Sequence, residues 1–451
     1  MSQKARERNR WPIALSVLMV GIVVAMALVA ALAPALLSPG DPIGVESRKI
    51  AAGVIFAGSY LALALGRIPG LSIDRAGIAL VGAGLMVACG ALSMEDAYRA
   101  LDLDTITLLL GMMIVVASLR LSGFFALANA WIMAHARRPM VLLVAIIATS
   151  GVFSAFLVND AICLVLTPLV LELTLALGRR PTPYLLAAAM ASNIGSTATI
   201  TGNPQNIMIG SFSHIPYAEF ALALAPVALV GLVLTAALIA LFHRGEFLGG
   251  ARLEAPPLKV TFNRFLVARA ALTTLVLIAA FFAGVAPAKA AIVVGGLLLL
   301  LTRRVKSGRI YAQIDWSLLL MFAGLFIIVA GAQHMLLTPD LIAGVGRLHL
   351  DRMPVLAALT AVLSNIVSNV PAVLMLKPFV EPLGDPAKAW LVVAMSSTLA
   401  GNFTVLGSIA NLIVVQRASA SGVAISFWDY FRIGAPLTLI TLLIGTLWLW
   451  L

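Results

Sequence analysis

Apolar runs separated by short polar stretches recur along the whole chain, and they sort into distinct kinds. Runs at 12–36, 50–66, 75–92, 104–119, 218–243, 269–286, 288–302, 315–332 and 428–451 approach or reach the roughly 20 residues that cross a bilayer as a helix, and predict spanning helices. Two others, 139–177 and 353–384, are split by the polar turns Val158-Asn159-Asp160 and Ser368-Asn369-Val370. Their arms, about 15 residues each, are short for spanning and predict re-entrant hairpins. Segments 184–210 and 387–415 are interrupted by uncharged polar residues with Gly195, Gly202 and Pro204 in one and Gly401 and Gly407 in the other, and predict broken helices. The stretches 121–137 and 334–352 read as amphipathic.

These elements occur twice in the same order. At an offset of 210, Ser154, Asn159, Leu164, Leu166, Pro168 and Val170 meet Ser364, Asn369, Leu374, Leu376, Pro378 and Val380. At 205, Ala189, Met190, Ser192, Thr199, Gly202 and Asn206 recur as Ala394, Met395, Ser397, Thr404, Gly407 and Asn411. Upstream, 104-DTITLLLGMMIVVA-117 echoes 315-DWSLLLMFAGLFIIVA-330, with Asp104 and Asp315 read as caps. Chance matches of Leu and Val are cheap; polar residues in one order are not. The expected organisation is a first helix and outer loop at 1–49, one repeat at 50–243, a cytoplasmic linker at 244–268 and a second repeat at 269–451. With five crossings per copy, an odd number, the copies are expected in inverted topology, giving an all-α polytopic membrane protein of about 11 spans.

Composition agrees with that fold and excludes others. The chain is 61% hydrophobic and 11% charged, with mean hydropathy +1.05, far from a soluble domain. The net charge of +11 would suit nucleic acid, but 22 of the 30 Lys and Arg fall in segments that this topology places inside. That is the positive-inside pattern, with the N-terminus cytoplasmic and the C-terminus outside the inner membrane. Four basic residues before the first run resemble a signal peptide, with 31-ALA-33 as a cleavage mimic. The run is longer than a usual signal core and reads as a retained helix. Cys89 and Cys163 both sit in apolar runs, so no disulfide frame or thiolate metal site is expected. The five His lack metal-ligand spacing. No nucleophile–base set or nucleotide motif is present, so no cofactor and no enzymatic activity are expected.

Polar backbone at membrane depth is tolerated only where it is buried in protein or lines a cavity. Broken helices placed symmetrically in two repeats are the best sequence pointer to a transporter site, and half-helix ends offer N–H groups to anions and C=O groups to cations. The candidate substrate and ion ligands are therefore Asn159, Asp160, Asn193, Thr197, Thr199, Asn203 and Asn206, with Ser368, Asn369, Thr398, Asn402, Thr404 and Asn411. The plainer reading is close helix packing through small residues, which suits Ala188, Ala189, Ala191 and Gly195. Asp160 is the one acid placed deep in the membrane and is the candidate proton carrier; as an N-cap of the second hairpin arm it would be structural. Lys377 is expected to snorkel.

The motifs NDxxxLxLTP at 159–168, GxxxTxxGNPQNI at 195–207, Asp315-Trp316 and SNVPAVL at 368–374 resemble the ion transporter superfamily over nearly everything after residue 50. That group holds arsenite-efflux permeases, sodium/proton antiporters and divalent-anion symporters; the Asn-Asp turn followed by Thr-Pro looks most like the arsenite-type permeases. The resemblance implies a secondary active carrier of a small anionic or neutral oxyacid, arsenite-type efflux coupled to protons first, working by alternating access of an elevator kind. A sodium-coupled carboxylate or divalent-anion symporter, a sodium/proton antiporter and, less favoured, an ion channel stay open. So do H+ or Na+ as coupling ion, a homodimer within membrane lipid, and a cytoplasmic ATPase partner of an arsenite-type carrier.

Overall fold

The computed structural model describes Gly21 and residues 42–65, 73–247, 263–301, 305–338 and 344–451; the expected first span at 12–36 and most of the linker lie outside them. Every regular element among the described residues is helical. Among the described residues, eight helices are long and apolar enough to cross a membrane by length and composition.

Most expected segments appear as helices whose ends shift by a few residues. The first copy gives Pro42–Leu65, Arg75–Ala88, Leu103–Ser122, Phe124–His135, the hairpin Pro139–Phe156 and Asn159–Ala176, the broken pair Pro181–Ser196 and Pro204–Ser213, and Tyr217–Phe242. The second gives Arg264–Phe282, Pro287–Leu301, Trp316–Leu336, the hairpin Met353–Val367 and Asn369–Val380, the broken pair Pro386–Ala400 and Ile409–Ala420, and Phe427–Trp450. The amphipathic arm expected at 334–352 falls partly outside the described residues. Arg75–Ala88 and Pro287–Leu301, expected to span, are 14 and 15 residues long. The first hairpin's arms are 18 residues each, longer than expected. The reason is the turn: only Leu157 and Val158 separate the arms, so nearly every residue stays helical.

Two short helices, Met94–Arg99 and Ser307–Tyr311, precede the third long helix of each copy and were not expected. Ser93 caps the first of them, its hydroxyl accepting from Asp96 N at 3.1 Å. The cap equivalent to Asp315 is Asp102 rather than Asp104. Asp315 accepts from Leu318 N at 3.0 Å, and Asp102 accepts from Thr105 N at 3.1 Å. With Asp102 paired to Asp315 the offset is 213, the same as Ala117 to Ala330, so the echo runs without a gap.

The chain forms two compact units, and neither coincides with a repeat. Of the described residues, one holds those within 1–106, 315–350 and 374–381; the other holds those within 107–314, 351–373 and 382–451. In the first unit, a Cβ on Gly324 would lie 2.6 Å from the Ala79 carbonyl carbon, so helices Arg75–Ala88 and Trp316–Leu336 cross at backbone contact. In the second unit a Cβ on Gly111 would meet Ala291 at the same 2.6 Å. Each copy's third long helix thus crosses the other copy's second. Lys377 pairs with Glu381 at 3.8 Å, with both side chains partly exposed.

Candidate functional site

The second unit contains both helix breaks, and they share one backbone geometry. In the first, Pro181–Ser196 ends, Thr199 is extended (φ −141°, ψ 165°), Ile200–Gly202 make a 3-10 turn, and Asn203 is extended again (φ −155°, ψ 164°). In the second, Pro386–Ala400 ends, Thr404 is extended (φ −137°, ψ 166°), Val405–Gly407 turn, and Ser408 is extended (φ −145°, ψ 144°). The glycines act differently from the expectation. Gly195 lies inside its half-helix, where a side chain would collide with Gly151 of the hairpin; Gly202 has no room for one against Ser196 O. Pro204 starts the second half-helix, at a position where its missing N–H costs nothing. Gly401 follows the last residue of Pro386–Ala400 with helical dihedrals, and Gly407 closes the turn.

Breaking a helix leaves carbonyls without partners, and at each break one asparagine takes up two of them. Asn206 Nδ2 donates to Ser196 O at 3.1 Å and Thr199 O at 3.0 Å; Asn411 Nδ2 donates to Gly401 O at 2.7 Å and Thr404 O at 3.2 Å. Asn203 caps the second half-helix by accepting from Asn206 N at 2.8 Å. Ser408 does the same for Ala410 N at 3.2 Å.

The two breaks interlock through side chains. Asn193 Nδ2 donates to Asn402 Oδ1 and Asn411 Oδ1, each at 2.9 Å. Asn193 Oδ1 accepts from Ser408 Oγ and from Asn159 Nδ2, each at 3.0 Å. All of its hydrogen-bonding capacity is used. On the other side, Thr398 Oγ1 accepts from Asn203 Nδ2 at 3.1 Å and Gln205 Nε2 at 3.2 Å, and donates to Asn206 Oδ1 at 3.5 Å. Asn402 Nδ2 reaches Met190 O at 3.1 Å, and its oxygen also accepts from Tyr430 Oη at 3.3 Å. Every partner named here is a neutral amide, hydroxyl or carbonyl.

Both hairpin tips reach this cluster. Asn159 does so through Asn193, and Ser192 Oγ donates to Asn159 O at 3.3 Å. Asn369, with its amide oriented to satisfy both ends, donates to Ser397 O at 3.2 Å and Gly407 O at 3.3 Å, and accepts from Gln205 Nε2 at 3.2 Å. The residue before each tip asparagine has positive φ: Val158 at 38° and Ser368 at 80°. A β-branched residue there is strained by about 1–3 kcal/mol. Val158 N donates to Thr201 O at 3.3 Å, which fastens the first tip to the break. Ser368 is the C-cap of the first arm.

Some expected ligands are committed elsewhere. The Thr199 hydroxyl donates to Ala155 O in the hairpin and lies 3.3 Å from Thr201 Oγ1, so its side chain does not join the cluster. Thr197 bonds back to Asn193 O at 3.3 Å. Thr404 contributes its carbonyl, to Asn411. Asp160 is half-buried in the first turn of Asn159–Ala176, and the N-cap there is Val158 rather than Asp160. Gln205, Ser408 and Tyr430 join the cluster without being among the expected ligands. Gln205 lies between two named residues, and Ser408 is 205 after Asn203, so both were within reach; nothing marks Tyr430.

Two amide oxygens beside the breaks have no protein partner: the buried Asn159 Oδ1 and the half-buried Asn365 Oδ1. Both are acceptors, suited to an O–H or a cation and not to a bare anionic oxygen.

Comparison with known proteins agrees on transport. The citrate transporter family CitMHS matches residues 60–391. An uncharacterized transporter of Mycobacterium tuberculosis is 29% identical over 432 residues, covering 89% of this chain and 98% of its own. A silicon efflux transporter of Oryza sativa subsp. japonica is 28% identical over 470 residues, covering 88% and 97%. The crystal structure of the YdaH transporter of Alcanivorax borkumensis aligns over 97% of each chain with TM-score 0.53 and 14% identity, a likeness of fold alone.

Proposed function

The chain belongs to the citrate transporter family CitMHS, whose members are secondary transporters, and on that premise we propose that its cargo is a small uncharged oxyacid, exported in exchange for protons. Arsenous acid, As(OH)3, is the first candidate and silicic acid the second. The observation that carries this reading is the chemistry of the cluster: amides and hydroxyls bonded to one another, with the open acceptor Asn159 Oδ1 at its edge. A hydroxyl-rich neutral cargo can donate O–H to such acceptors and receive N–H from the asparagines. A multiply charged carboxylate would face amide oxygens without a guanidinium or ammonium partner named among them, at the desolvation cost of an uncompensated charge. The rice relative, named for silicon efflux, points the same way.

The mechanism belongs to the same proposal. The two copies lie inverted in the membrane with the N-terminus inside, and their hairpins enter from opposite faces. The interlocked breaks move as one carrier in alternating access, and Asp160, next to the Asn159 tip, takes up the driving proton. Proteoliposomes holding the full-length chain test this. Counterflow of arsenous or silicic acid, accelerated by an imposed pH gradient, is expected. Citrate uptake that needs sodium, with no oxyacid flux, would replace it with the carboxylate-symport reading.

A further inference from the structure

The last helix, Phe427–Trp450, begins with a polar and aromatic surface that the transport site does not use. Trp428, Phe431, Arg432, Ala435 and Pro436 line a cleft of about 480 Å3. Phe427 stacks on Phe431 with centroids 5.5 Å apart and planes at 14°, and Trp428 meets Phe431 edge-on at 5.7 Å. Trp428 is 60% exposed, and Arg432 is exposed beside it. Pro436 lies inside the helix and has no N–H, so the Arg432 carbonyl loses its bond one turn on. The neighbouring acid does not occupy this surface: Asp429 is turned back to the cap, accepting from Ser426 N at 3.1 Å and Ser426 Oγ at 2.6 Å.

We propose that this cleft holds the phosphate of an anionic phospholipid on Arg432, with one acyl chain laid along the helix below it. Three observations commit the occupant. First, the aromatic residues stand at the end of a span, where Trp sits at the level of lipid headgroups. Second, the exposed face that begins at Trp428 and Arg432 continues two turns on as Leu439, Leu443 and Leu447, all exposed and spaced four apart. From Arg432 to Leu447 the helix rises about 22 Å, more than the ~15 Å of one hydrocarbon leaflet. A lipid tail fits that stripe, and a soluble phosphate has no use for it. Third, the exposed Arg432 guanidinium can pair with a phosphate, and a phosphate without a choline cation attached keeps its net negative charge for that pairing. The charge bias of the sequence places this end on the cytoplasmic side, the leaflet richer in anionic lipid.

Native mass spectrometry of the full-length protein released from micelles tests the site. The probes are phosphatidylglycerol and phosphatidylcholine with identical acyl chains. Wild type is expected to retain phosphatidylglycerol in preference, and Arg432→Gln to retain it about fivefold less, the share of one arginine at a lipid surface. Arg432→Lys should recover most of the difference, and Arg99→Gln, at an exposed arginine of the other unit, should change nothing. If Arg432→Gln does not fold, Trp428→Leu serves with the same expectation of weaker retention. Equal retention of both lipids by wild type would overturn the proposal. Displacement of the lipid by millimolar inorganic phosphate would reassign the cleft to a soluble ion. A change from dimer to monomer in Arg432→Gln without loss of lipid would assign the face to a second copy of the chain instead.

Discussion

Asn193 and Thr398 occupy equivalent positions in the two copies, and each is buried among the polar side chains of the other copy's break. Asn193 is held by Asn402, Ser408 and Asn411, and Thr398 by Asn203, Gln205 and Asn206. The exchange is reciprocal although the two residues differ in type. Any movement of one break must therefore carry the other with it or give up several buried hydrogen bonds at once.

Asn193→Ala removes a residue whose amide makes four hydrogen bonds. It should lower stability by about 2 kcal/mol or more, because the partners are left unsatisfied in a buried site. Thr398→Val should cost about 1 kcal/mol. In thermal unfolding of the detergent-solubilised protein, the Asn193→Ala and Asn411→Ala pair should show a coupling of about 1 kcal/mol. Strict additivity would mean that the bond between them contributes nothing.

Thr199→Val is expected to act on stability first. Its hydroxyl fastens the break to the Ala155 carbonyl, so the variant should lose about 1–2 kcal/mol and transport should fall in step with the folded fraction. Normal melting with abolished flux would instead place the hydroxyl in the cargo's path.

Asp160→Asn keeps the size of the side chain and removes its titration. Transport driven by a pH gradient should be lost in proteoliposomes, while cargo exchange at equal pH continues. A variant with the wild-type pH response would reject Asp160 as the proton carrier.

His243, outside the spans at the end of Tyr217–Phe242, gives a pH effect with a definite sign. Burial pushes its imidazole below the ordinary 6.5, partly offset by Asp429 and Glu246, while Arg180 pushes it down further. Its Nε2 is buried without a partner. The folded protein thus holds the neutral ring, so this contribution is present above about pH 6.5 and is lost as pH falls through the depressed value. The melting temperature of wild type should drop over that window, and His243→Gln should flatten the drop.

The repeat was legible because polar side chains in apolar helices are costly and therefore informative. Asn159, Asn206, Asn369 and Asn411 located both hairpin turns and both breaks. Ser408 was not recognised because it performs the capping of Asn203 with a different side chain, and matching by identity does not see shared roles. The direction of the Thr199 hydroxyl depends on which face of an extended residue meets the hairpin, which no periodicity records. Asp102 was passed over for Asp104 because the acid next to the apolar run was matched first, although the ungapped offset of 213 pairs Asp102 with Asp315. Gly111 and Gly324 stood out no better. In an apolar run, a glycine at a helix crossing looks the same as one facing lipid.

Those two glycines bear on how the chain is made. The helix carrying Ala79 finds its backbone-contact partner at Gly324, and the helix carrying Gly111 finds its own at Ala291. During synthesis the first copy emerges well before either partner exists, so its second and third long helices must wait in the bilayer with their small-residue faces uncovered. A chain ended in the linker would leave them so permanently, and such a half should be degraded or captured by other membrane helices. Duplication has here produced two copies that cannot mature one after the other.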